Sequence, residues 1–187
     1  MVLASASDRR RDLLARVGVV PQVIDPAHID ESPYPDELPR LYAKRLGREK
    51  ALSVAPRHAG AYVLAADTVV SVGRRILPKA ENEQTARYCL NVMSGRRHRV
   101  YTGVSLVIPD GHVLGRVVET AVHFKRLSPD DINWYVSTME WHGKAGGYAI
   151  QGSAEVLIQR ISGNWSNVVG LPLINTVALL TGAGWRP

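Results

Sequence analysis

"MVLASASDRRRDLLARVG", residues 1–18, is the stretch on which the fold class turns. "MVLAS" reads as a short strand and "SDRRRDLLARVG" as a helix that follows it without a linker. Ser7 stands at the N-cap, Asp8 suits the positive helix start, and Gly18 supplies a left-handed stop. Leu13, Leu14 and Val17 form the stripe this helix would bury. A strand feeding directly into a helix is a unit of α/β architecture. The same turn also has chemical content. Small residues ahead of a helix leave backbone N–H groups open to an anion, and the helix dipole adds to the attraction. Ser5 belongs to that turn, and Arg9 and Arg10 bring guanidinium groups able to grip a phosphate with paired hydrogen bonds.

Outward from this turn, "PQVIDPAHIDESPYPDE" (21–37) is rich in proline and acid and reads as extended chain and loop. A helix is expected from about Glu37 to Val54, with Leu38, Leu41, Tyr42 and Leu52 as its apolar contacts. "AYVLAADTVVSVG" (61–73) is a buried strand whose single charge is Asp67. "ENEQTARYCLNVMSG" (81–95) reads as a helix ended by Gly95, with Cys89 on its buried face. Alternation around "PDG" makes residues 98–127 a hairpin. Ser128, Pro129 and Asp131 spell a capping box. "GKAGGYAIQG" (143–152) is a glycine-rich loop leading into the strand "AEVLIQRI" (154–161), and a last helix runs from near Pro172 to Gly182. Strands and helices mix without strict alternation, so the class is α/β (α+β) with a mixed sheet. No repeat, low-complexity tract or linker divides the sequence, and residues 1–187 are expected to form one domain.

Composition narrows the function. Hydrophobic residues make up 45%, so a packed interior is expected. Apolar runs such as "AYVLAA" and "VVGLPL" are too short to cross a bilayer, and no signal-peptide pattern is visible. The lone cysteine fits a reducing compartment, so a cytoplasmic location is expected. A net charge of +6 favours anionic partners, with basic clusters at 9–11, 44–50, 73–79 and 95–99. One phenylalanine, and no strand alternating aromatic with basic residues, makes an RNA-stacking platform the weaker reading. GxSxG, HExxH and CxxC are absent, and the six histidines never fall at metal-ligand spacing. Gly143-Lys144 resembles the end of a Walker A loop, but Thr138 stands where its first glycine should be.

What remains is a set of polar residues at element ends. Asp67 directly follows "VLAA" and is expected at or near the end of a buried strand, where open sheets place ligand sites. A buried carboxylate is costly unless paired or metal-bound, so a structural salt bridge and a ligand role both stay open. Asp30-Glu31 offers further oxygen ligands or is an exposed acidic turn. Mg²⁺ takes one or two carboxylates plus phosphate oxygens and water, which this inventory meets. Lys50 and Lys79 can close on the same anion from other elements. A phosphate cradle, a strand aspartate and a glycine-rich loop together point to metal-assisted phosphate chemistry.

"LASASDRRRDLL", "REKA", "VLAADTVV", "LPKAEN", "MSGRRHRVYTGV", "GKAGGYAIQG" and "NVVGLPL" resemble, in order and spacing, the motifs of the Maf family of nucleoside triphosphate pyrophosphatases. The match runs from Leu3 to about Leu180. The resemblance implies a mixed, twisted sheet with flanking helices and two lobes around a cleft, similar to inosine triphosphatase-like folds. It implies hydrolysis of a nucleoside triphosphate to monophosphate and pyrophosphate with a divalent cation, Mg²⁺ or Mn²⁺, by a homodimer without nucleic-acid or membrane partners. Asp67 falls on the proton-acceptor position, and Arg9, Thr68 and Gln151 on positions tied to substrate specificity. Ser5, Arg10, Glu31, Lys50 and Lys79 match positions that surround the phosphates and metal, with Lys50 and Lys79 in catalysis and Asp67 and Glu31 on the cation. "YAIQG" is similar to the branch acting on dTTP and UTP. Asp8 and Ala80 depart from the family's prolines. The alternatives are a non-catalytic module that senses nucleotides or binds RNA, and the family's 7-methyl-GTP branch.

Overall fold

In the computed structural model, which describes residues 1–186, the opening turn forms as strand β1 (Val2–Leu3) and helix α1 (Asp8–Ala15). Leu13 and Leu14 are fully buried, but Val17 is exposed because it lies beyond the last helical turn. Ser7 has the extended backbone of an N-cap without a side-chain cap bond; its N–H donates instead to Ser5 Oγ at 3.3 Å. The acidic segment contributes only the short β2 (Val23–Ile24) before α2 (Pro39–Val54), whose proline occupies the first helical turn.

The remaining elements are β3 (Val63–Val72), β4 (Arg75–Leu77), β5 (Lys79–Ala80), α3 (Glu83–Met93), β6 (Arg97–Val107) and β7 (Val113–Phe124). After them come α4 (Pro129–Ser137), β8 (Lys144–Ala145), β9 (Ile158–Ser162), α5 (Trp165–Val169) and α6 (Leu173–Gly182). The hairpin turns at the expected "PDG", and both bonds of the capping box at Ser128 and Asp131 are made. "AEVLIQRI" is not one strand: Ser153–Leu157 is a 3₁₀ turn and β9 starts at Ile158, where pairing with β7 becomes available. Cys89 is buried on α3, and burial pushes its thiol up to about 11, which removes it from thiolate chemistry near neutrality.

One mixed sheet runs β2-β1-β3-β6-β7-β9, parallel among its first three strands and antiparallel thereafter. Helices flank it, with a large apolar core on one face and a smaller one of Val2, Ala51, Val54, Val63 and Ala65 under α2. The edge of β3 is the feature that matters for function. β1 covers it only at Val63 and Leu64, and β4 rejoins it only from Val70. Between them this edge has no strand neighbour, and Asp67 sits in the gap. Asp67 is therefore mid-strand, opposite Gly103 of β6, rather than at a strand end. The sheet opens there because β1 stops, not because β3 does.

The inward face of α2 also differs from expectation. Ala43, Leu46, Gly47, Lys50, Ala51 and Val54 face the sheet, whereas Leu38, Leu41 and Leu52 are exposed. Close approach explains the choice of small residues: a Cβ on Gly47 would strike the Gly103 backbone, and one on Gly103 would strike Ala43 and Lys44. Gly103→Ala should therefore destabilise by about 1–3 kcal/mol, the range for an overpacked contact, read as a lower urea midpoint with an unchanged slope. No helix among the described residues is long and apolar enough to cross a membrane.

Candidate active site

The gap beside β3 opens into a cavity of about 520 Å³. The start of α1, the acidic loop, α2, β3, Lys79, the glycine-rich loop and the turn after α5 all reach it, and through them Ser5, Arg9, Arg10, Glu31, Lys50, Asp67, Thr68, Lys79 and Gln151 line one pocket. Each site residue that the Maf resemblance implies is thus brought together. Asp30 is not: its carboxylate turns back to accept the Ser32 N–H at 2.8 Å.

Alternation along β3 sends Asp67 and Thr68 to opposite faces. Asp67, 6% exposed, meets Lys50 of α2, whose Nζ lies 2.5 Å from Oδ1. The same ammonium lies 2.9 Å from Glu31 Oε1, and Lys79 Nζ closes on Glu31 Oε2 at 3.2 Å. Tyr42 donates its hydroxyl to the Glu31 carbonyl and so fixes the loop against α2. The hydrogen bond and ion pair of Asp67 both run through Oδ1, and none to Oδ2 is formed among the described residues.

On the opposite face Thr68 is committed to structure. Its Oγ1 lies 2.9 Å from Thr102 Oγ1 and 3.4 Å from Arg10 Nη2. Arg10 also donates through Nη1 to Ser5 Oγ and through Nε to the Gly170 carbonyl, each at 2.9 Å. Gly170 reaches this position with φ at 133°, a conformation that favours glycine. The buried Asn167 holds the turn by donating to the Val100 carbonyl and Thr120 Oγ1. Arg10 is thereby fixed at three points, whereas the Arg9 guanidinium, half-buried, has no protein acceptor among the described residues.

Crowded cations and burial set the electrostatics of the pocket. Burial holds Arg10 below its ordinary value, and Arg9 adds to the effect against the opposing pull of Asp67 and Glu31. Burial lowers Arg9 likewise, offset by Asp8. Burial disfavours ionised Glu31, yet Lys50 and Lys79 outweigh it and leave the carboxyl below its usual range. No group of three or more histidine, cysteine or carboxylate ligands forms a protein-only metal cage among the described residues. Two carboxylates sharing one ammonium suit a hard divalent cation that takes its other ligands from phosphate and water.

A family model described as Maf-like protein matches residues 1–183. The chain belongs to the Maf-like family. A relative from Rhodospirillum rubrum named dTTP/UTP pyrophosphatase is 59% identical over 187 residues, covering all of this chain and 89% of its own length. One of the same name from Caulobacter vibrioides is 58% identical, with 100% and 97% covered. Among solved structures, a Staphylococcus aureus Ham1 protein shares the fold with a TM-score of 0.55 at 14% identity, covering 97% of each chain.

Two departures from the Maf pattern are absorbed locally. Asp8 turns its carboxylate to Arg11, 2.9 Å away. Ala80 leaves Lys79 without a following proline, but pairing of β5 with β8 fixes that backbone instead. Lys144 and Tyr148 also line the cavity and were not expected there. Burial and then Arg9 lower the Lys144 value, so this lysine shares the same cationic field. Its Gly-Lys pair is visible in the sequence, but comparison with a Walker A loop discards it. Tyr148 bonds the buried His98 at 2.8 Å, and burial pushes that imidazole down to about 3, keeping it neutral.

Glu140 had no sequence signal. Its carboxylate accepts from Ser153 N and Oγ at 2.7 and 2.8 Å and so pins the backbone next to Gln151. Glu140→Ala should raise KM by about tenfold with a smaller change in kcat, the scale of a lost hydrogen bond to a charged group, and Glu140→Gln should recover part of it. Steady-state kinetics with dTTP reads both.

Proposed function

We propose that this Maf-like protein hydrolyses dTTP and UTP to the nucleoside monophosphate and pyrophosphate, with Asp67 as general base. What supports this reading is Asp67, bonded through Oδ1 alone to Lys50 and lining a cavity together with Arg9, Arg10, Lys50, Lys79 and Lys144. The triphosphate lies along Ser5, the first turn of α1 and the lysines. Water attacks the α-phosphorus, its proton passes to Asp67 Oδ2, and the bond to the bridging oxygen breaks to release pyrophosphate. Lys50 holds Asp67 in place through Oδ1, and the guanidinium and ammonium groups neutralise charge growing on the leaving oxygen. Mg²⁺ or Mn²⁺ held by Asp67 and Glu31 would supply further charge neutralisation on the triphosphate.

Thr68 acts by positioning Arg10, since its hydroxyl is already spent on Thr102, Arg10 and Gly170. Base choice is assigned to Gln151, whose exposed amide offers both donors and an acceptor to a pyrimidine edge. The names of the relatives at 58–59% identity support the pyrimidine reading. A panel of triphosphates with Mg²⁺ or Mn²⁺ tests it. Pyrophosphate release from dTTP and UTP, abolished by EDTA and at least about tenfold slower from 7-methyl-GTP, is the expected result. Binding without turnover of any triphosphate would return the protein to a sensing role.

A further inference from the structure

A second groove of about 520 Å³ lies outside the catalytic cavity, between α2 and the outer part of the β6–β7 hairpin. Arg40, Lys44 and Arg48 line it from α2, and Arg116 faces them from β7. The three helical cations recur every fourth residue, so they form a row spaced about 6 Å apart along the axis. None of the four has a carboxylate partner among the described residues, whereas Arg45 on the same helix is held by Glu37 and Glu49. Arg116 spends one N–H on the Gly115 carbonyl, 3.0 Å away.

The floor provides an independent observation. Ser105, 5% exposed, lines the groove, and its hydroxyl has no hydrogen-bond partner among the described residues. Gly115 adjoins that hydroxyl without a side chain: a Cβ there would stand 3.2 Å from the Val104 carbonyl oxygen and 3.4 Å from Ser105 Oγ. A hydroxyl that lines the groove beneath a row of unneutralised cations is free to donate to an acceptor from outside.

We propose that this groove is a second anion site, which takes a polyphosphate chain along Arg40, Lys44 and Arg48, with Arg116 opposite and Ser105 donating from below. The linear row matches a chain of charges better than a single phosphate. A nucleic-acid strand fits less well, because no aromatic side chain lines the groove for base stacking. A second copy of the chain fits less well too, since a twofold contact through this face would set like charges against each other. The anion is either the tail of a nucleotide or a free polyphosphate.

Calorimetric titration of the full chain with inorganic tripolyphosphate tests the proposal, using wild type and a combined Arg40→Gln, Lys44→Gln, Arg48→Gln, Arg116→Gln variant. Wild type should bind two equivalents and the variant one, or the second should weaken by roughly tenfold or more, the scale of lost charge-assisted bonds. All four side chains are exposed, so the variant should fold and keep its dTTP turnover within about twofold. A parallel titration with thymidine 5′-α,β-imidotriphosphate separates the sources. Equal affinity assigns recognition to the phosphates, and tighter binding adds contact of the nucleoside with Leu41, Val113 and Val117 of the lining; both support the site. The same stoichiometry in both proteins overturns it. So does a wild-type dimer that the variant dissociates with no loss of anion binding, or retention of a labelled oligonucleotide where tripolyphosphate is not held.

Discussion

Asp67→Asn is expected to cut kcat for dTTP by about 10²–10⁴-fold, the contribution of a positioned general base, with little change in KM. The substitution is nearly isosteric, and the amide oxygen can still accept from Lys50, whose Nζ lies 2.5 Å from Oδ1. What disappears is the second anionic oxygen, the one with no protein partner. The variant should therefore fold, with an unfolding temperature close to wild type, and still bind nucleotide. A folded Asp67→Asn protein that turns over dTTP at the wild-type rate would remove Asp67 from the chemistry and make its pairing with Lys50 purely structural.

Lys50→Ala should be harmful in two ways. Its ammonium serves two carboxylates, and Asp67 is only 6% exposed. Removing one partner of a buried pair strands the other charge and costs about 3–5 kcal/mol. For a chain of this size that is a fall in unfolding temperature of about 6–20 °C. Activity should drop by at least about 10²-fold, because a catalytic cation is lost and Asp67 is no longer held. The pH dependence has a definite sign. Glu31 is depressed in the folded protein: burial opposes ionisation, but Lys50 and then Lys79 outweigh it. Its contribution is therefore complete above the unfolded value of about 4.3 and fades as pH falls through the folded one. The stability gap between Lys50→Ala and wild type should narrow in that acid range. Calorimetric scans from neutral pH downward measure it, and a variant as stable as wild type at neutral pH would contradict the buried-pair reading.

Local chemistry made part of this structure readable in advance. The strand-to-helix turn at 1–18, the "PDG" hairpin and the Ser128 capping box each carry their own punctuation, and each forms where expected. The face of α2 was not readable, because leucines at 38, 41 and 52 outscore small residues in any hydrophobic pattern. Only the contact between Gly47 and Gly103 explains why the small residues turn inward. Asp67 was legible as a buried charge but misplaced along its strand, since the gap beside it is made by the ends of β1 and β4. Glu140 was invisible for a similar reason: its partner, Ser153, is 13 residues away. Residues that act through a distant neighbour leave no local trace.

The most direct test of the central claim is a crystal structure with Mn²⁺ and thymidine 5′-α,β-imidotriphosphate, with anomalous scattering to locate the metal. Mn²⁺ is expected on the carboxylates of Asp67 and Glu31, and the phosphates between the first turn of α1 and Lys50 and Lys79. Mn²⁺ away from both carboxylates, or a triphosphate bound outside this cavity, would contradict it.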